Sequence, residues 1–292
     1  MGTEKTAGKF VRAISRTKNI FFQNKVTAIW LIIVVIISII TLLGPKICPY
    51  DYKKVDFTNR LSPPSRDHVF GTDQFGRDIL SRIIMGGRVS MLVGLGSALL
   101  AAVIGVVIGL LAGWKGRFVD SLLMRVMDVI LSFPSIIIAI ALSALVTPNI
   151  TSLIVIISIH SIPQFARTTR GAVLSVKEME YIESAGAIGQ KPLHILVKHV
   201  LPNCFTPIIV YLTFATASAI NTEAALSFLG IGIQPPEASW GVMLNSARSY
   251  VLLASWMAIF PGLIVTLMVL ACNLLGDGIR DALDPRVKGA QN

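Results

Sequence analysis

Six apolar stretches, each separated from the next by polar or turn-forming residues, set the plan of this chain. Residues 26–43 are nearly all apolar and uncharged, and Gly44-Pro45 closes them, giving a first element at 26–45. A helix needs roughly 20 apolar residues to cross a ~30 Å hydrocarbon core, so this stretch predicts a membrane span. The same reading predicts spans at 89–112, 129–146, 150–162, 206–232 and 258–275. The fourth is short for a crossing unless it extends to Phe165 despite Pro163, which removes a helix donor. The predicted class is an all-α membrane protein with six transmembrane helices and both ends on one side.

The interruptions carry their own signals. Residues 46–86 predict an external segment, with turns at Cys48-Pro49-Tyr50-Asp51 and Ser62-Pro63-Pro64-Ser65. After Asp78, the spacing of Ile79, Leu80, Ile83 and Ile84 predicts a short amphipathic helix leading into the second span. His68, Asp73 and Asp78 match no metal-ligand spacing, and helix capping with Arg–Asp pairing explains them better. In the second span small residues recur every fourth position, at Ser97, Ala101, Gly105 and Gly109, with Gly113 just beyond. One helix face is thereby bare enough for another helix to approach closely. Residues 113–128 predict a short basic, amphipathic turn, and Phe133-Pro134 a kink or late start in the third span. Thr147-Pro148-Asn149 predicts an external turn, residues 233–257 a second external segment with a semi-polar helix at 240–248, and residues from Gly276 a polar tail.

Composition agrees with the pattern. The 292 residues are 53% hydrophobic and only 14% charged, where soluble domains carry roughly 25%, and mean hydropathy is +0.71. The net charge of +10 flanks apolar spans without interleaved aromatics, so it sets orientation against membrane lipid and points to no nucleic acid. The tail 1–25 holds Lys5, Lys9, Arg12, Arg16, Lys18 and Lys25 against Glu4 alone, and predicts a cytoplasmic N terminus. Segments placed inside hold seventeen Lys and Arg, those outside nine; eight of the nine lie between the first two spans, offset by five Asp. Cys48, Cys204 and Cys272 form no CxxC pair and no disulfide framework. The first apolar run starts too late and continues too far for a cleavable signal peptide.

One polar stretch stands out, 178–203, reading EMEYIESAGAIGQKPLHILVKHVLPN. Met179 to Ile188 favours a helix, Gly189 suits a left-handed end, and Pro192 suits the first turn of a second short helix. Leu193, Ile195, Leu196, Val200 and Leu201 give that helix an apolar side opposite Lys191, His194 and Lys198. Leu201-Pro202-Asn203 predicts a stop where the chain re-enters the membrane. Ala185 and Gly186 leave room for a partner surface. Two short helices at a sharp angle make a rigid knob on the inner face.

The pattern Glu183-Ser184-Ala185, Gly189, then Leu201-Pro202 resembles the Glu-Ala-Ala loop of binding-protein-dependent ATP-binding-cassette importer permeases. Ser184 stands where the family usually has its first Ala, and His199 where the general consensus has Ile. Residues 71–90, 223–241 and 276–286 resemble the dipeptide, oligopeptide and nickel branch of that family. The resemblance implies a type I importer permease fold, with a permease domain at 87–277, a coupling loop at 178–203 and a cytoplasmic tail at 278–292. It implies that Glu183, Ser184, Ala185, Gly186, Gly189, Gln190, Lys191 and Pro202 meet a cytoplasmic ATPase. It further implies two ATPase subunits that bind ATP and Mg, a related permease subunit and an extracellular substrate-binding protein, in a multi-pass protein of the bacterial cell membrane. This chain holds no cofactor of its own: Gly186-Ala-Ile-Gly189-Gln-Lys191-Pro192 has the wrong spacing for a phosphate-binding loop and lacks its Ser or Thr. Peptides are the first expectation for cargo, nickel or a metal chelate the second.

Glu223, with Asn221 and Thr222, interrupts the fifth span. A charge there costs at least ~2.5 kcal/mol on insertion scales, so it faces the bundle interior, a helix break or water. It either lines a pathway or forms a hydrogen-bonded hinge with Asn221 and Thr222. Two rivals are weaker. A membrane-embedded hydrolase would use His160 with Ser158 or Ser161, but neighbouring side chains diverge on a helix and no carboxylate orients the ring. A stand-alone channel or carrier would have no need of the knob.

Overall fold

The computed structural model describes residues 25–283; the basic tail before Lys25 and the segment from Asp284, with Pro285 and Arg286, lie outside them. The described residues form helices α1 (Lys25–Ile47), α2 (Ile79–Lys115), α3 (Arg117–Leu131), α4 (Ser135–Ser143), α5 (Ile150–Lys177), α6 (Glu180–Ala187), α7 (Pro192–Phe228), α8 (Trp240–Ala247) and α9 (Trp256–Leu283). Helices α1, α2, α5, α7 and α9 are each long and apolar enough to cross a membrane. Helices α3 and α4 qualify only as a pair, bent by 81° at residues 132–134.

The helices run beyond their predicted bounds. No short helix precedes the second span: α2 continues through Gly86 and Gly87, which abut the far loop. A β carbon at Gly87 would lie 3.0 Å from the Trp240 ring, and one at Gly86 3.2 Å from Ser239. Residues 117–131 are helix α3 rather than a turn, and α9 continues through Gly276 to Leu283. Pro45, Pro163, Pro207 and Pro261 all lie inside helices. In lipid a helix that stops exposes backbone polar groups with no water to bind, so a proline is absorbed where neighbours pack around it. Around Pro163 the neighbour is α2: a β carbon at Gly105 would lie 2.5 Å from Phe165 Cβ and 2.7 Å from the Ile162 carbonyl oxygen.

That contact belongs to the bare stripe of α2. Ser97, Ala101, Gly105, Gly109 and Gly113 are all buried, and α5 is the most extensive partner of α2. A β carbon at Gly113 would meet Val173 Cβ at 2.8 Å. The first helix is attached more lightly. Only Thr27, Ile37, Thr41 and Gly44 of α1 are buried, while Ile29, Ile32, Val35, Ile36, Ile39 and Leu42 stay exposed for lipid. Its start lies beside Gly278 near the end of α9, and the ends of α2 and α5 meet where Lys177 Nζ donates to the Trp114 carbonyl at 3.0 Å. These helix ends define one pole of the bundle.

The other pole carries residues 48–78, folded by short-range polar contacts. Asp78 caps α2 by accepting from the Ser81 amide at 2.8 Å, and the His68 Nδ1 lies 2.9 Å from its other oxygen. Asp73 accepts from Arg77 Nε at 2.7 Å, and Arg82 stands 3.7 Å away. The capping and pairing expected of these residues are thus present. Trp256 Nε1 donates to the Thr72 carbonyl at 3.2 Å, tying the start of α9 to this segment.

The stripe generates a direct test. Gly105→Leu is expected to lower the thermal midpoint of the purified protein by about 5 °C, an overpacking cost of roughly 2 kcal/mol. Gly171→Ala, on the same contact's open side with no atom near its missing side chain, is expected to leave the midpoint unchanged or slightly higher.

Candidate functional site

The knob hangs from the basic end of α5, which is held from two sides. Arg170 Nε and Nη2 donate to the two oxygens of Asp120 on α3 at 2.5 and 2.6 Å. Arg167 Nη2 donates to Asp128 on α3 at 2.5 Å. The α3 carboxylates thus brace α5 about two and three turns above its end, the Arg170–Asp120 pair in the bidentate geometry for which guanidinium is suited.

Helix α6 starts after Met179 and ends at Ala187, and Gly189 follows with φ +80°. The Gln190 amide donates to the Ala185 carbonyl and the Gly189 amide to that of Gly186, at 3.2 and 3.0 Å. Pro192 then occupies the first turn of α7, where its missing N–H has no helical partner to lose. Ile182 and Ala185 are buried together with Val176, Ile195, Leu196 and Val200. Ala185 therefore packs into the chain's own core, and its small side chain lets α6 sit close beneath the bundle.

The second half of the knob departs from expectation at Leu201-Pro202. No stop occurs there: α7 is one helix from Pro192 to Phe228, widened into a π turn at Leu196–Val200. The Leu201 amide reaches back to the Leu196 carbonyl, and the register shift accommodates Pro202, which cannot donate. Side chains lock the widened turn. Asn203 Nδ2 donates to the His199 carbonyl at 2.6 Å and to Tyr181 Oη at 3.1 Å. His199 Nε2 lies 3.2 Å from Gln190 Oε1. The turn, α6 and the head of α7 are thereby one unit, an arrangement the residue spacing does not reveal.

The remaining expected contact residues point outward. Glu183, Ser184, Gly186, Gly189, Lys191 and Pro202 are exposed and Gln190 half-buried. Nothing lies within 4 Å of where a β carbon would sit on Gly186 or Gly189, and no described residue pairs with Glu183. Around them large apolar side chains are uncovered: Ile188 is 76% exposed, Leu193 71% and Val197 55%. An apolar patch rimmed by polar residues marks an interaction surface, for protein or for lipid. The sequence showed the glycines but not the exposure of Ile188, Leu193 and Val197; Leu193, expected on the apolar side of the second short helix, is 71% exposed.

Asn221, Thr222 and Glu223 lie elsewhere, near the opposite pole, and do not interrupt α7. Asn221 is exposed, Thr222 Oγ1 donates to the Ser218 carbonyl at 2.9 Å, and Glu223 is fully buried. The partners of Glu223 are Ser90 and Ser227, at 2.7 and 2.8 Å, rather than Asn221 and Thr222. The Ser158 hydroxyl donates to the Val155 carbonyl of its own helix at 2.7 Å and is not bonded to His160.

Comparison with known proteins matches the chain to two families. Residues 105–289 match the binding-protein-dependent transport system inner membrane component, and residues 15–64 the N-terminal TM domain of oligopeptide transport permease C. The dipeptide transport system permease protein DppC of Alkalihalophilus pseudofirmus is 42% identical over 279 residues, covering 94% of this chain and 92% of that one. The glutathione transport system permease protein GsiD of Pectobacterium atrosepticum is 43% identical over 267 residues, covering 91% and 88%. The fold is shared with a chain of the MetNI methionine ABC transporter in an inward-facing conformation, with a TM-score of 0.58, 17% identity, and coverage of 70% of this chain and 98% of that one.

The lock on the widened turn can be measured without any partner. Asn203→Ala removes two hydrogen bonds and is expected to speed amide exchange over residues 180–200 about fivefold, as a loss of roughly 1 kcal/mol does, while exchange in the middle of α2 stays unchanged.

Proposed function

We propose that this chain, which belongs to the family of binding-protein-dependent transport system inner membrane components, is a permease subunit through which an ATP-driven importer carries small peptides. It is a transmembrane transport subunit and not an enzyme. Dipeptide and glutathione permeases stand among its relatives, and these names support a short peptide as the cargo. A related permease subunit supplies the other half of the path, and an extracellular binding protein delivers the peptide.

The observation that carries the mechanism is the outward face of the knob. Ile188, Leu193 and Val197 are uncovered beside Glu183, Ser184, Gly186, Gly189, Gln190, Lys191 and Pro202, on a unit locked by Asn203, Tyr181, His199 and Gln190. We assign this face to a cytoplasmic ATPase, one on each permease, with ATP and Mg held by the ATPases. Glu183 offers a free carboxylate to a basic group, and the two open glycines admit close approach. Displacement of the knob passes along α7 directly, because no loop separates the two. It also passes along α5, which α3 braces through Arg167 and Arg170. A rigid input joined to continuous helices moves the bundle instead of dissipating in a flexible link.

Gly186 separates this reading from a purely structural one. The chain has open space at that position, so Gly186→Arg is expected to leave folding and the thermal midpoint unchanged. In proteoliposomes holding the whole transporter, the same substitution is expected to abolish ATP-dependent peptide uptake. Uptake at the unsubstituted rate would remove the coupling role.

A further inference from the structure

Near the outer end of α7 the chain buries an acid with no cation. Glu223 has a relative exposure of 0%, and no ion pair among the described residues includes it. Its oxygens meet hydroxyls. Ser90 Oγ on α2 lies 2.7 Å from Oε2, and Ser227 Oγ, one turn along α7, lies 2.8 Å from Oε1. The Ser239 hydroxyl faces the same carboxylate.

The direction of these bonds follows from what else the serines hold. Ser90 Oγ accepts the Trp240 amide at 3.2 Å, Ser227 Oγ the Ile233 amide at 3.1 Å, and Ser239 Oγ the Val242 amide at 3.2 Å. A hydroxyl has one proton to give. With a backbone amide already donating to each oxygen, the protons of Ser90 and Ser227 go to Glu223. The N-terminus of α8 adds favourable potential, since Ser239 caps it and its first amide reaches the carboxylate through Ser90. The site is tight: a β carbon at Gly241 would lie 2.5 Å from the Ala224 carbonyl oxygen, and one at Gly232 2.6 Å from the Ser227 amide nitrogen.

We infer that Glu223 is an anchor that accepts the Ser90 and Ser227 protons and thereby fastens residues 229–239 and the start of α8 onto α2 and α7. The fastened segment has a use. Ile233, Gln234 and Glu237 form one side of an outer cavity of about 710 Å³, with Val89, Asn149 and Thr151 across from them. Glu223 is a positioning residue for that wall and itself touches no cargo. The inference does not depend on the coupling role of the knob or on the cargo.

The test reads the segment in the full chain co-purified with its partner subunits. With Cys48, Cys204 and Cys272 replaced by serine or alanine, a cysteine is placed by Ile233→Cys, a position only 5% exposed. Maleimide is expected to modify it slowly. Adding Glu223→Gln is expected to speed modification at least about tenfold, because the amide N–H would oppose a hydroxyl hydrogen already pointing at it. Ser90→Ala and Ser227→Ala are expected to give smaller increases, and they carry the test if the Gln variant does not assemble. Unchanged maleimide rates in the assembled variants would overturn the anchor.

Discussion

Everything in this bundle depends on how closely α2 and α5 approach. Between helices in lipid there is no gain from hiding apolar surface from water, so association rests on packing and on polar contacts. The stripe from Ser97 to Gly113 removes side chains where Phe165, Ala166 and Val173 come in. Both poles hang from that contact. One end of α2 carries Asp78 and with it the fold of residues 48–78, while the end of α5 at the opposite pole carries the knob. α2 also provides Ser90 to the Glu223 cluster.

Charge is handled differently at each level. At the pole of residues 48–78 Asp73 serves Arg77 and Arg82, and Arg82 also donates to the Tyr52 carbonyl at 3.1 Å. At the pole of the knob Asp120 and Asp128 brace Arg170 and Arg167. These ion pairs satisfy groups that would otherwise be stranded near lipid, and they fix helix ends rather than add much stability. Glu223 is held by hydroxyls alone. The knob differs: Glu183 and Lys191 make no ion pair among the described residues and stand exposed beside uncovered apolar side chains, an arrangement that suits the proposed ATPase contact.

Much of this was legible along the chain because the determining physics is local. The apolar runs place the spans, the four-residue recurrence of small side chains identifies the contact face, and Gly189 with Pro192 mark the knob's two turns. What failed was punctuation by proline. Pro163 and Pro202 predict stops, yet lipid penalises an open backbone more heavily than a distorted helix, and packing by α2 at Pro163 and a widened turn before Pro202 absorb each. The amphipathic residues 113–128 read as a turn because they are polar, but Asp120 and Asp128 are what anchor α3 to α5. The serines around Glu223 come from positions 90, 227 and 239, and only folding brings them together. The apolar face of Ile188, Leu193 and Val197 is similarly assembled from two helices.

The central claim is that the exposed knob is where an ATPase subunit sits. It is tested most directly by placing a photo-crosslinking residue at Ile188 in the membrane-embedded assembly and identifying what is captured. The expected product is an adduct with the ATPase subunit whose yield changes when ATP is bound. Adducts formed only with lipid or with the companion permease, indifferent to ATP, would contradict the account.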